Sequence, residues 1–262
     1  MNGRSFGVGS VLSLAGIVAA WAPAARGAVV VFQGADTGTA AGDARPNANA
    51  AAAGFDAAAG ALNSLNLINW EAQTAGDLGP YTPLAGVTVS EVNADATATT
   101  IEGIIATDGL TTGFNTTAGG SKHLGHVEPL GNADSSTLFA FAGDGISAFG
   151  LYITGTESDS PGAVAIEFTD GQGVPVSLAL DERPLTSGKG TTTFIGFVDA
   201  ADAGITSVRV VSRGNRTTAR DAYGLDDIRF TNSVVPEPSG TAPMLIGAVV
   251  LASFVGSRRR RR

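Results

Sequence analysis

The sequence predicts an all-β sandwich accompanied by one short Ala-rich helix, and three observations carry that expectation. Aromatic residues make up only 6% of the chain while glycine reaches 36 residues, a balance suited to short strands and tight turns. Short apolar runs recur from Leu67 to Phe230 without alternating helices, which is the pattern of a sandwich rather than of a parallel α/β sheet. Between those runs stand Asp108-Gly109, Asp144-Gly145 and Asp170-Gly171; Asp and Gly tolerate the left-handed backbone that hairpin turns require.

Taken in order, Val29 to Phe32 reads as a short first strand. In the Ala-rich stretch after it, Phe55, Ala58, Ala59 and Leu62 fall at helical spacing. A helix is expected between Asn47 and Leu65, capped near Asp43 or Asn47 and weakened by Gly54 and Gly60. Residues 29–66 thus form an N-terminal strand and helical arm, and residues 67–232 the sandwich. Strands are expected at Leu67–Ala72, Val87–Val92, Ile101–Ala106, Thr137–Ala142, Ile146–Thr154 and Ala163–Thr169. Further strands follow at Val174–Leu180, Thr193–Val198, Ile205–Ser212 and Tyr223–Phe230. Val208 and Val210 flanking an outward Arg209 show the alternation most clearly.

Charge and cysteine content exclude several function classes. The net charge of -8 comes from 16 Lys and Arg against 24 Asp and Glu. Seven of the basic residues (Arg4, Arg26 and Arg258 to Arg262) and one acid (Glu237) lie in the terminal segments. The core therefore carries nine basic and 23 acidic residues, a net of -14. Such a surface repels nucleic acid, and Arg209, Arg213, Arg216 and Arg220 read as strand-flanking solubilising charge. With no cysteine at all, disulfides, thiolate metal sites and Cys nucleophiles are ruled out.

Both ends read as export signals. Arg4, an apolar run from Val8 to Trp21, and small residues through Ala28 follow the order of a cleaved secretory signal, residues 1–28. Ala22-Pro23-Ala24 and Ala25-Arg26-Gly27 each place small residues where a signal peptidase needs them. At the other end, Val235-Pro236-Glu237-Pro238-Ser239 precedes the apolar segment Ala242 to Val255 and five arginines, Arg258, Arg259, Arg260, Arg261 and Arg262. Two prolines keep the motif extended and accessible. The apolar segment would measure about 21 Å as a helix, a short transmembrane span against a hydrocarbon core of ~30 Å. The arginines cannot cross, so they hold that end in the cytoplasm.

This ending, residues 233–262, resembles the PEP-CTERM sorting signal of Gram-negative bacteria, matched at Pro236, Glu237, Pro238, the apolar helix and the basic cluster. The resemblance implies an exosortase that removes the tail and delivers the protein to the cell surface, in association with exopolysaccharide and biofilm material. A second resemblance covers most of Leu67 to Phe230. It is carried by Gly113-Phe114-Asn115-Thr116-Thr117, Ala148-Phe149-Gly150-Leu151-Tyr152-Ile153-Thr154-Gly155, Phe194-Ile195-Gly196-Phe197-Val198-Asp199, Ile205-Thr206-Ser207-Val208 and Tyr223-Gly224-Leu225-Asp226-Asp227-Ile228-Arg229-Phe230. In that order they look like the jelly-roll ectodomain of PEP-CTERM proteins and, more loosely, carbohydrate-binding modules.

For chemistry, Asn69-Trp70-Glu71 and Asp226-Asp227 are the leading constellation. The first and last strands of a jelly roll lie side by side, so Glu71 is placed to approach the aspartates. Clustered carboxylates repel unless a proton or cation intervenes, and calcium suits such oxygen donors. The resembling modules hold a structural calcium there. The competing reading has Asp226 and Asp227 capping a strand or pairing with Arg209 or Arg229. His123 and His126, the only histidines, fall in a glycine-flanked stretch expected to be a loop, with no third zinc ligand in view. Trp70, Tyr81, Tyr152 and Tyr223 are the aromatics available to stack on sugars, with core packing as the alternative. Asn115-Thr116-Thr117 and Asn215-Arg216-Thr217 match the glycosylation pattern by chance. No Gly-x-Ser-x-Gly elbow, His-Glu-x-x-His helix or phosphate loop is present. The sequence therefore points to an exported, non-catalytic surface protein, ahead of a sugar-binding module and, last, a secreted hydrolase.

Overall fold

The computed structural model describes residues 29–92, 103–106, 113–127, 134–156, 164–170, 173–180, 190–199, 204–213 and 222–233. The signal segment, the Pro-Glu-Pro tail with its arginines, Arg216, Arg220 and the Asp108-Gly109 turn lie outside them. The described elements, in chain order, are β1 (Val29–Thr37), α1 (Pro46–Gly60), β2 (Leu65–Ile68), β3 (Tyr81–Leu84), β4 (Val87–Val92), β5 (Gly103–Ile105) and β6 (His123–Val127). They continue with β7 (Asp134–Phe141), β8 (Ile146–Thr156), β9 (Val164–Thr169), β10 (Pro175–Ala179), β11 (Thr191–Asp199), β12 (Ser207–Arg213) and β13 (Ala222–Asn232). One sheet runs β1-β11-β8-β13-β6-β5, with β2 also paired to β13; the other runs β10-β9-β12-β7-β4-β3. Every pairing is antiparallel. The all-β sandwich is therefore what forms.

Alternation builds the interior. Ile166 and Phe168 from β9, and Val208 and Val210 from β12, pack in one cluster with Leu151 and Ile153 of β8 and with Ile195 and Phe197 of β11. Phe168 and Phe197 stack with ring centroids 3.8 Å apart. Each such side chain contributes about 1.5–3 kcal/mol by leaving water. β8 and β11 are buried along their whole length, because the first sheet is covered on both faces. Its second cover is α1, whose Ala48, Ala52, Phe55 and Ala59 pack on Ala148, Tyr152, Phe194 and Val198. Gly150 and Gly196, register partners on β8 and β11, make room for the Phe55 ring. A Cβ on Gly196 would stand 3.0 Å from that ring and 2.9 Å from Gly150 Cα.

Three expectations change. The helix is not capped by Asp43 or Asn47, and it ends at Gly60 rather than Leu65. Arg45 occupies the N-cap without a side-chain cap, and Pro46 opens the first turn. The orphan N–H groups of Asn47 and Ala48 instead donate to the Asp36 carboxylate from β1, at 3.2 and 2.8 Å. Asp43 accepts from Ala40 N–H in a local turn. Residues 29–66 are built into the sandwich, since β1 pairs with β11 from Val29↔Asp199 to Thr37↔Thr191. Finally, the two histidines lie in a strand, not a loop. Gly103, Gly125 and Gly224 form one row across β5, β6 and β13, and the chain at Gly113 lies directly on Gly224. A Cβ on Gly113 would come within 2.1 Å of Gly224 N. These glycines serve close backbone approach rather than turns.

Candidate functional site

The loop 113–122 crosses the outer face of the first sheet and holds the constellation singled out in the sequence. Phe114 is buried, and its N–H and C=O both bond the Thr154 hydroxyl of β8 at 2.9 Å. Just beyond it, β13 carries a bulge. Asp226 pairs with Tyr152 and Arg229 with Gly150, so Asp227 and Ile228 stand opposite Leu151 alone. Asp227 adopts φ 47°. A regular strand sends neighbours to opposite faces; the bulge turns both carboxylates to the same side.

Thr116 and Thr117 meet them there. Asp226 Oδ2 accepts from Thr116 N–H at 2.6 Å, Thr116 Oγ1 at 3.0 Å, Thr117 N–H at 3.2 Å and Thr117 Oγ1 at 3.4 Å. Thr116 Oγ1 also lies 2.9 Å from Asp227 Oδ2, and Thr117 Oγ1 donates to Asp227 Oδ1 at 2.6 Å. Asp226 is fully buried and its Oδ1 has no hydrogen-bond partner. Burial first, and the charge of Asp227 second, push its carboxyl up to about 7, against the pull of the Thr116 N–H. Arg229 donates to the Asp227 carbonyl at 3.1 Å, pairs with Asp56 at 3.3 Å and lies over the Tyr152 ring. Arg209 is elsewhere, bonded to Ser136 Oγ, and Arg213 pairs with Glu167.

Glu71 grips the other end of the same loop. β2 pairs with β13 as the sequence implied, and Trp70 then turns the chain at φ 61° with its indole N–H on Leu225 O at 2.9 Å. Glu71 Oε1 accepts from Asn115 Nδ2, Ser121 N–H and Lys122 N–H at 3.0, 2.9 and 2.9 Å. The Lys122 ammonium donates to Glu71 O and Gln73 O at 2.8 and 2.7 Å. Glu71 and the aspartate pair thus hold the two ends of one loop. Glu71 Oε1, Asp226 Oδ2 and both Asp227 carboxylate oxygens accept from protein N–H and O–H donors, and no group of three His, Cys, Asp or Glu converges as a metal site among the described residues. Glu71, Asp226 and Asp227, the residues expected to hold calcium, each anchor the loop through its N–H and O–H donors. Glu71→Ala is expected to cost about 1.5–3 kcal/mol, as for hydrogen bonds to a charged acceptor, and to expose the loop to proteolysis. Urea unfolding tests this; a change within ~0.5 kcal/mol, the scale of an ordinary surface substitution, would refute the anchoring role.

A second polar cluster lies between the sheets. His126 Nδ1 is 2.7 Å from Glu91 Oε2 and its Nε2 is 2.8 Å from Ser135 Oγ. Thr137 Oγ1 donates to Glu91 Oε1 at 2.8 Å, and Tyr223 lies 5.2 Å from the imidazole. The Ser–His–Glu connectivity matches that of nucleophilic triads. Ser135, however, is 1% exposed and also donates to Val127 O, so its hydroxyl ties β7 to β6.

The aromatics are core residues. Trp70, Tyr81, Tyr152 and Tyr223 are all buried, so none offers a face to a sugar ring. Sequence reading missed Thr116, Thr117 and Lys122 as anchors. Asn115, read as a chance glycosylation match, has its amide engaged by Glu71 and Lys122 O. No family model, curated protein or solved structure matches this chain.

Proposed function

We propose that this chain is exported and sorted through its C-terminal tail, and that the sandwich is a non-catalytic component of the cell surface or extracellular matrix. The observation that carries the reading is Pro236-Glu237-Pro238 ahead of an apolar segment and the terminal arginines. Signal peptidase and an exosortase are the processing partners, and the membrane contact is transient. The strand path is compatible with a jelly-roll ectodomain: β7, β9, β10 and β12 belong to one sheet, while β8, β11 and β13 belong to the other. The positions of the chain ends support the reading as well. Val30, Val198, Ala148 and Thr231 form one register row, so the chain enters at Val29 and leaves after Asn232 on the same side. A signal segment and a sorting tail can then both reach one membrane. The burial of Ser135 and the loop-filled aspartate pair favour a non-catalytic role.

Intact mass of the protein recovered from its own host tests the proposal. The expected mass lacks the residues before about Val29, given the small-residue cleavage region, and lacks those after the Pro-Glu-Pro motif. Retention of Arg258 to Arg262 in the mature protein would overturn it.

A second reading is a carbohydrate-binding module for exopolysaccharide. A depression of about 330 Å³ on the second sheet, lined by Glu167, Thr169, Ser177, Ser207 and Arg209, offers it polar groups. It ranks second because Phe168, the aromatic residue lining that depression, is buried and stacked on Phe197.

A further inference from the structure

We propose that the end of the sandwich where the chain enters and leaves rests apolar side chains on the lipid bilayer while the sorting tail is attached. The proposal rests on the tail reading just given and adds an orientation to it. Among the described residues, the exposed large apolar side chains are Val30, Val31, Leu62, Leu65, Leu67, Leu78 and Val174. All but Leu78 and Val174 gather at this one end.

The register places them. Val30 on β1 and Leu65 on β2 close the two ends of one row, running Val30↔Val198, Val198↔Ala148, Ala148↔Thr231 and Thr231↔Leu65. They stand at the extremes of a five-strand row, four spacings or about 19 Å apart at ~4.8 Å per spacing. Val31 is next along β1, Leu67 lies two residues along β2, and Leu62 follows the end of α1. Asn63 Nδ2 donates to Asn232 O at 3.2 Å, and Ser233 N–H to Gly145 O at 3.0 Å. The tail therefore departs beside the leucines. The opposite end of the same strands has a different chemistry, with the row Thr37↔Thr191 and Thr191↔Thr156. Single exposed apolar residues are ordinary; a set gathered at one end marks a contact surface.

Chain length argues for the occupant. Eight residues, 234–241, separate the described domain from the apolar segment at Ala242, and they reach at most about 29 Å when fully extended. With that segment in the bilayer, the leucine-bearing end is the part of the domain held closest to lipid. Among the described residues the exposed charge in the turn before Gly145, Asp144, is acidic, so attraction to anionic headgroups does not drive the contact. It is apolar and should resist salt.

The natural absence of cysteine makes the test direct. Single cysteines at Val30, Leu65 and the exposed Thr37 carry a fluorophore in the tail-bearing chain. The chain is reconstituted in vesicles of phosphatidylethanolamine and phosphatidylglycerol with brominated acyl chains. Thr37 is seven residues along β1 from Val30, about 23 Å away. Quenching several-fold stronger at Val30 and Leu65 than at Thr37, unchanged by salt and lost in a chain ending at Ser233, is the expected result. Leu62→Ser with Leu67→Ser should bring the Leu65 label down to the Thr37 level while flotation with the vesicles persists. Equal quenching at the three sites in vesicle-bound protein overturns the orientation and leaves the tail reading intact. Failure of the tail-bearing chain to float with vesicles overturns both.

Discussion

Replacing His126 by alanine is expected to cost about 3–5 kcal/mol, from the cavity left by a large buried ring and the hydrogen-bond partners it leaves unsatisfied. Glu91 comes from β4, His126 from β6, and Ser135 and Thr137 from β7, so the cluster joins strands of both sheets across the interior. The imidazole is 2% exposed and the Glu91 side chain 15%. The two ring nitrogens engage different partners, Glu91 Oε2 on one side and Ser135 Oγ on the other. Without the ring, Glu91 keeps only the Thr137 hydroxyl among its described hydrogen-bond partners, and the space beside Tyr223 is left empty. Water cannot repair both losses in a site packed this closely. Thermal melting should shift by about 6–20 °C, at ~2–4 °C per kcal/mol for a domain of this size. The double variant His126→Leu with Glu91→Leu should recover part of the loss, since replacing both partners of a buried hydrogen bond by well-packed apolar groups can be nearly neutral. A double-mutant cycle then isolates the coupling. A His126→Ala cost below about 1 kcal/mol, the centre of ordinary point substitutions, would show that the cluster is not a cross-sheet strut.

How much of this was legible in the sequence depends on the distance over which each feature is decided. Strand β12 announced itself through Val208, Arg209 and Val210, because alternation is local and the second sheet has one open face. β8 and β11 were also found, although their two-sided burial left no alternation to read; their continuous apolar character sufficed. β6 was missed for a physical reason. Gly125 looks like turn punctuation, yet it exists so that β5, β6 and β13 can carry a row of glycines under the crossing chain. The helix cap was misplaced for a similar reason: Asp36 reaches α1 across tertiary space, and no local pattern encodes it. Asp226, Asp227 and Glu71 stood out as acids near aromatic and strand signals. Their true partner, a loop rich in Thr and Gly more than a hundred residues before the aspartates, left no spacing that could be read. Clustered acids suggest calcium because they need neutralising; Thr hydroxyls and backbone N–H groups meet part of that need, and burial of Asp226 favours a proton there.

That proton makes stability depend on pH, and the effect should be large. The Asp226 carboxyl is raised from 3.8 to about 7 in the fold, first by burial and then by Asp227. In the unfolded chain it ionises near its ordinary value, so between these limits the folded state holds a proton that the unfolded state has released. The resulting stabilisation is fully present below about pH 4 and is lost as pH rises to about 7, amounting to as much as ~4 kcal/mol at ~1.4 kcal/mol per pH unit. The two adjacent carboxyls titrate as a pair, so the apparent midpoint belongs to both. Above it, ionised Asp226 places charge on a fully buried Oδ1 that has no partner. Asp226→Asn should flatten the dependence, because the amide stays neutral at every pH while its oxygen still accepts from Thr116 and Thr117. Urea midpoints measured from pH 4 to pH 8 in the two proteins read the difference directly. Wild type should weaken across that interval relative to Asp226→Asn, and Thr116→Val should steepen the loss by removing hydroxyl donors from the ionised pair. Parallel curves for wild type and Asp226→Asn would mean that the bulge does not hold a proton, and that the threonines alone neutralise both aspartates.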